Sequence, residues 1–400
     1  MSVFGCQTRQ GKEQARRHEK RGREVSTIAP APGKAGGRAA AERKEAAEEY
    51  EDIALYIAGI HNPREKSPSE VDCRFVELEK NIHWKEYSVL ADSSWARLER
   101  RQLARIRSWA KQELAPHCSE QTSLFYPFSG PDFLYAYCFF QNLDDYVLIG
   151  LEPVGRIPEP ENIPPDSLGS YFRALRVALG DILTISFFKT KDMEADFASE
   201  RLEGTLPILL VFLARTGNRI IAIEPVQIGK NGEVTRSTFS EVAKYDAGKM
   251  NGVKITFERN GLQKTLYYFS IDLSNSSLNG KIGLRKFIDD RGEMVTLVKA
   301  ATYLMHKKYF SEIRAIILDR SRIILQDDSG IPLRCFDNEN WRLQLYGFYS
   351  CPIPLFKEWV QDDLRVLYQD SSRVAPLPFG VGYTWQANGS NLMLALRNGR

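Results

Sequence analysis

The stretch YVLIGLEPVG, residues 146–155, has a partner later in the chain, RIIAIEPVQIG, residues 219–229. Each is a short apolar run closed by Glu-Pro-Val. Each also follows an apolar segment with the marks of a helix. Before the first, Ser129 can cap a helix, Pro131 suits its first turn, and Asp132 favours its positive end. Before the second, LPILLVFLA (206–214) has Pro207 in its first turn and Gly217 just past its end. The recurrence predicts one helix–turn–strand unit used twice. A third copy is expected from a helix over Met294–Met305, the strand RIILQ (322–326) and Asp327-Asp328. The fold class that follows is α+β: a mixed sheet, apolar helix–strand units repeated two or three times, and a hairpin-rich C-terminal half.

Around these units the pattern alternates. Helices are expected from about Ala46, over Ser93–Leu114 with Ser93 or Ser94 as cap, over Ser167–Phe188, and over the stretch TKDMEADFASERLEG. Asn231-Gly232 and Asn260-Gly261 mark tight hairpins. RIILQDDSGIPLRCFDNENWRLQLYGFYS reads as three strands, PLFKEWVQDDLRVLYQ as a last helix, and NLMLALRN as a terminal strand. The globular region is expected over 46–400; the hairpin region after Lys230 is either a second lobe, with a boundary near residue 230, or part of one core.

The chain has 400 residues, 43% hydrophobic and 26% charged, with a net charge of +3. That charge is too small to call for a nucleic-acid partner, and it is concentrated in the first forty residues. Residues 1–45 mix basic side chains with Pro, Gly and Ala. They cannot bury enough apolar surface to offset ordering, which predicts a disordered basic tail or tether. No run approaches the ~20 apolar residues of a membrane helix. Six scattered cysteines without a C-x-x-C pair, and five histidines without paired spacing, predict no metal site. Cys6, in VFGC, resembles the end of a lipoprotein signal, but the chain shows no basic start and no apolar core before it; a cell-envelope location is expected if the start is truncated, and a cytoplasmic one otherwise.

Two constellations carry candidate chemistry. Glu152, Glu224, Asp132 and Asp327 lie at predicted strand or helix ends, where folds of this class place working groups. Two such carboxylates about 5–9 Å apart can cleave a glycosidic bond. The bland alternative is that Glu-Pro stops a strand, because proline holds the preceding residue extended and removes a ladder donor. Lys189, Lys191 or Arg334 can supply charge partners for these acids, Arg334 also as a ligand-binding residue. Tyr126, Phe128 and Tyr135 can form an aromatic platform for a sugar ring or apolar ligand; equally, they are core. No phosphate loop, dinucleotide fingerprint, zinc-protease motif or nucleophile elbow is present, and no cofactor is expected.

The runs YPFSGPDFLYAYCFFQNLDDYVLIGLEPVG, GTLPILLVFLARTGNRI and ILQDDSGIP resemble a group of bacterial proteins described only as hypothetical. The resemblance covers most of the chain after about residue 70 and brings no activity. It implies bacterial origin and export. Together these readings predict a non-catalytic cell-envelope domain that binds a ligand or partner. The alternatives are a glycan-directed carboxylate hydrolase and a cytoplasmic interaction protein.

Overall fold

The structure, a computed structural model, describes residues 34–62, 73–118, 122–185, 202–386 and 389–399. Cys6, most of the basic tail, Lys189, Lys191 and the predicted helix after Thr190 lie outside the described residues. The chain forms two units, residues 1–42 and 43–400; of the first, only helical backbone from Lys34 is described.

The second unit is α+β, built on one mixed sheet of eleven strands. In chain order these are β1 (Ser123–Tyr126), β2 (Asp145–Gly150), β3 (Arg219–Ile228), β4 (Val234–Arg236), β5 (Asn251–Arg259) and β6 (Leu262–Ser270). They continue with β7 (Met294–Val298), β8 (Ser321–Gln326), β9 (Trp341–Gly347), β10 (Val374–Ala375) and β11 (Asn391–Arg397). Their spatial order is β10-β9-β11-β8-β7-β1-β2-β6-β5-β3-β4. The central strands β8, β7, β1, β2 and β6 run parallel. The flanks are antiparallel: β5, β3 and β4 fold as hairpins beyond β6, and β11 threads between β8 and β9.

Parallel strands buried on both faces read as unbroken apolar runs, which is what YVLIG is. Tyr146 and Leu148 enter one core and Val147 and Ile149 the other, as the two-residue period of a strand requires. The first core is roofed by the end of α1 (Lys34–Ile57) that belongs to this unit, and by α2 (Ile82–Leu98), α3 (Ala104–Glu113), α4 (Phe133–Phe139), α5 (Leu168–Ile185) and α6 (Leu206–Arg215). The second is covered by α7 (Ile282–Asp289), α8 (Ser311–Arg320) and α9 (Asp362–Gln369). In α6 every residue from Leu206 to Ala214 is buried, so its hydrophobicity all round is matched by burial on every side. No described helix is long and apolar enough to cross a membrane.

Several expectations need correcting. Met294–Val298 is strand β7, and the third helix–strand unit uses α8 and β8 instead. Five consecutive buried residues fit a central strand as well as a short helix, and only sheet pairing separates the two. The helix expected from Ser93 begins at Ile82, with the Asn81 side chain accepting from the His83 N–H at 2.8 Å. The Ser93 hydroxyl instead donates to the Val89 carbonyl. Between α2 and α3 the backbone widens into a π turn, Glu99–Leu103. Residues 327–340 contain a 3-10 turn rather than a third strand, and α9 covers only the second half of the expected last helix. The sheet runs without a break through the region near residue 230.

Glu224-Pro225 does not end its strand. β3 continues to Ile228, with Pro225 opposite Val253. The Pro225 carbonyl accepts from the Ser237 N–H, so its nitrogen faces the same outer side, beyond the end of the β3–β4 ladder. Proline is tolerated there because no ladder donor is lost.

Candidate functional site

The chain leaves β1 toward β2 on one side and returns at β7 on the other side of β1. The α4 crossover lies on one face of the sheet and the α8 crossover on the other. Such a divergence opens a crevice at the carboxyl ends of the strands, where doubly wound sheets bind ligands. An open pocket of about 780 Å³ occupies that position. Its walls come from the loop after β1 (Phe128, Ser129, Gly130, Asp132) and the turn after β2 (Leu151, Glu152). The exits of β6 (Asp272) and β7 (Lys299, Thr302) complete it, with Leu304 and Phe310.

The cap of α4 is Asp132 and not Ser129, because the helix begins at Phe133 and the Ser129 hydroxyl donates to the Gly130 and Ile149 carbonyls. Asp132 accepts from the Tyr135 N–H at 3.1 Å and from the Tyr126 hydroxyl at 3.0 Å. Its Oδ2 lies 2.9 Å from Lys299 Nζ, and both side chains are at most 2% exposed. The Lys299 ammonium also sits 4.4 Å from the centre of the Tyr135 ring, which favours the cation. Burial holds the Asp132 carboxyl above its ordinary value, although Lys299 and the two hydrogen bonds oppose that rise.

Glu152 is buried beside Gly150 and Tyr268. The Tyr268 hydroxyl lies 2.8 Å from the Glu152 carbonyl and 3.3 Å from its Oε2. A Cβ on Gly150 would meet the Glu152 carboxylate, the Tyr268 hydroxyl at 2.8 Å and the Gly130 Cα at 2.9 Å. Glycine is therefore required for the loops after β1 and β2 to close on each other. Asp272 accepts from the N–H and hydroxyl of Ser274, both at 2.8 Å.

The wall after β7 is strained. Ala300, Thr302 and Tyr303 have φ of 51°, 53° and 50°, and Phe128 across the pocket has 59°. Non-glycine residues hold this left-handed geometry only when their surroundings over-determine it. Here Asp327 does so. Its Oδ2 accepts the Ala300 N–H at 2.8 Å, and its Oδ1 accepts the Ser329 N–H and hydroxyl at 3.0 and 2.5 Å. Ser329 Oγ receives the Ala301 N–H at 2.8 Å, and Tyr383 receives that of Thr302 at 2.9 Å. Asp328 accepts the Tyr303 hydroxyl and the Asn391 amide.

Of the residues singled out in the sequence, Asp132, Glu152, Tyr126 and Phe128 meet at this pocket. Asp327 stands behind its wall and Tyr135 packs beneath Lys299. Arg334 is exposed on a 3-10 turn and does not line the pocket. Glu224 is elsewhere, paired with Arg236 and with Lys254 at 3.7 Å. Register places Glu224 level with Val147, three strands away from β2. At ~3.3 Å per residue and ~4.8 Å per strand, its backbone is roughly 20 Å from that of Glu152. The two copies of Glu-Pro-Val are therefore not equivalent positions. Sequence reasoning missed Lys299, because Met294–Met305 read as one helix. The available signal was a β-branched run, MVTLV, ending at a lone lysine. It also missed Gly130 and Gly150, whose importance is a close approach that no local pattern encodes.

Among the described residues no cluster of three or more His, Cys, Asp or Glu is placed to hold a metal ion, and Cys118, Cys138, Cys335 and Cys351 are unbridged. No known family, curated protein or solved structure matches the chain.

Proposed function

We propose that the chain is a binding protein for a small hydroxyl-rich ligand, a sugar or polyol, held at the carboxyl ends of β1, β2, β6 and β7. The observation that carries this reading is the composition of one crevice. The carboxylates of Glu152 and Asp272 and the hydroxyls of Ser129 and Thr302 share it with Phe128 and Phe310, whose rings meet edge to face at 5.6 Å. Carboxylates accept hydroxyl protons, and an aromatic face covers the C–H side of a saturated ring. Isothermal titration against a panel of monosaccharides and polyols tests the proposal. The expected result is saturable binding that Phe128→Ala and Glu152→Gln each weaken about tenfold, a change of ~1.4 kcal/mol. Absence of binding across the panel by folded protein would sink it.

A carboxylate hydrolase is the second reading, favoured by Asp132 and Glu152 sharing the pocket. Against it, Asp132 is saturated by Lys299, Tyr126 and the Tyr135 N–H, which leaves no oxygen positioned to move a proton. Turnover of aryl glycosides that Glu152→Gln abolishes would replace binding with hydrolysis. The proposed location is the cell envelope, on the strength of VFGC at residues 3–6 and the basic tail after it. Metabolic labelling with radioactive palmitate, lost on Cys6→Ser, is the expected outcome; equal labelling of both forms counts against it.

A further inference from the structure

A second cavity, of about 1020 Å³, opens on the helical side of the sheet between α2, α5 and α6. Its chemistry is unlike that of the first. The floor is apolar, from Trp95, Leu179, Leu183 and Phe212, and the rim carries Arg97, Arg101, Arg176 and Arg215. Among the described residues no Asp or Glu lines it. The π turn Glu99–Leu103 begins two residues after Arg97 and includes Arg101, and such turns commonly mark working sites.

The four arginines are not equivalent. Arg215 is anchored: it donates to the Ala58 carbonyl at 2.8 Å and pairs with Asp92 at 2.5 Å. Arg97 and Arg176 make no ion pair among the described residues, although they come from different helices and face the same cavity. Cations gathered around an apolar concavity repel one another and gain from a bound anion. The surrounding surface is also apolar: Val89, Leu90 and Val177 are 66%, 43% and 57% exposed. Gly180, in the middle of α5, faces the cavity, and a Cβ there would meet nothing within 4 Å. Glycine inside a helix costs ~1 kcal/mol against alanine, and here no packing contact accounts for its presence.

We infer that this cavity binds a single-chain anionic amphiphile: an alkyl chain over Trp95, Leu179 and Phe212, and a carboxylate head between Arg97 and Arg176. The site is separate from the sugar pocket and does not depend on that reading.

The test uses the full chain with sodium dodecanoate below its micellar concentration, followed by titration calorimetry and tryptophan fluorescence. One equivalent is expected to bind, with dodecanol binding weakly and dodecylamine weakest. Arg97→Ala with Arg176→Ala should reduce dodecanoate affinity at least about tenfold and leave dodecanol unchanged, because only the head loses its charged partners. Gly180→Phe should abolish binding of both while the melting temperature holds or rises, which separates occlusion from misfolding. Equal binding of dodecanoate and dodecylamine overturns the inference, as does Gly180→Phe protein that binds normally. Binding confined to anionic phospholipid vesicles, with none to dodecanoate, overturns it as well and makes this face a membrane-docking surface.

Discussion

Lys299 and Asp132 form a fully buried ion pair beside an open pocket. Removing one partner strands the other charge in a poor solvent, so Lys299→Met is expected to cost ~3–5 kcal/mol in urea unfolding. Lys299→Met with Asp132→Asn should recover part of that loss, because no charge is left unpaired. Equal stabilities for the single and double variants would show that the pair is not the source of the cost. Gly150→Ala is a different kind of lesion. Its methyl group meets Tyr268, Gly130 and the Glu152 carboxylate, so a loss of ~1–3 kcal/mol is expected, together with weakened ligand binding. Asp132 was legible in the sequence as an acid at the positive end of a helix, although the capping residue is Asp132 itself rather than Ser129, three residues earlier. Lys299 was not, because its role depends on a strand that only the neighbouring β1 and β8 define.

At the level of elements, the segment Ala300–Tyr303 shows how one acid can shape a wall. Asp327 accepts three hydrogen bonds that hold the left-handed turn after β7 against β8. Asp327→Ala leaves those donors unsatisfied, and ~3 kcal/mol of stability should be lost. Amide exchange should quicken over Ala300–Ser329, while α5 and α6 exchange as before; uniform quickening throughout the sheet would contradict a local role. Asp-Asp-Ser-Gly is turn chemistry that a short window of sequence shows. Its second task, bracing a loop 27 residues earlier in the chain, is not visible there. The hairpins at Asn231-Gly232 and Asn260-Gly261 form as expected, since tight turns are set by the residues within them.

Across the whole molecule, two buried groups give opposing pH responses. Burial, then Arg334 and Arg314, lowers His306 to about 4. Between its unfolded value near 6.5 and that pH the unfolded chain binds the proton first. The stability His306 contributes is therefore complete above ~6.5 and is lost on acidification, by roughly 3 kcal/mol at most. Burial, then Asp327, raises Asp328 to about 6. Here the folded chain binds the proton first, so this contribution is complete below ~3.9 and is lost as pH rises through about 6. The two slopes oppose each other between pH 4 and 6. Denaturation midpoints should fall more steeply on acidification in Asp328→Asn than in the native chain, and less steeply in His306→Gln. Parallel profiles for all three would refute the assignment. The sheet makes one further demand. β11 is the last strand in sequence but lies inside the sheet, bonded to both β8 and β9. A chain ending at Ser390 should lack cooperative unfolding, because it would expose two long strand edges; a cooperative melt for that form would contradict the placement of β11.

The sequence by itself determined the class of the fold, the apolar helix–strand units at α4–β2 and α6–β3, and the hairpins. Each follows from periodicity or from proline and glycine geometry within a few residues. Only the tertiary structure decided that β7 is a strand, that β11 returns to the middle of the sheet, and that one Glu-Pro-Val turns into a pocket while the other runs on through a ladder. The physical reason is the same in each case. Strand identity, order and register are settled by hydrogen bonds and burial between segments far apart in the chain, and no short window of residues contains both partners.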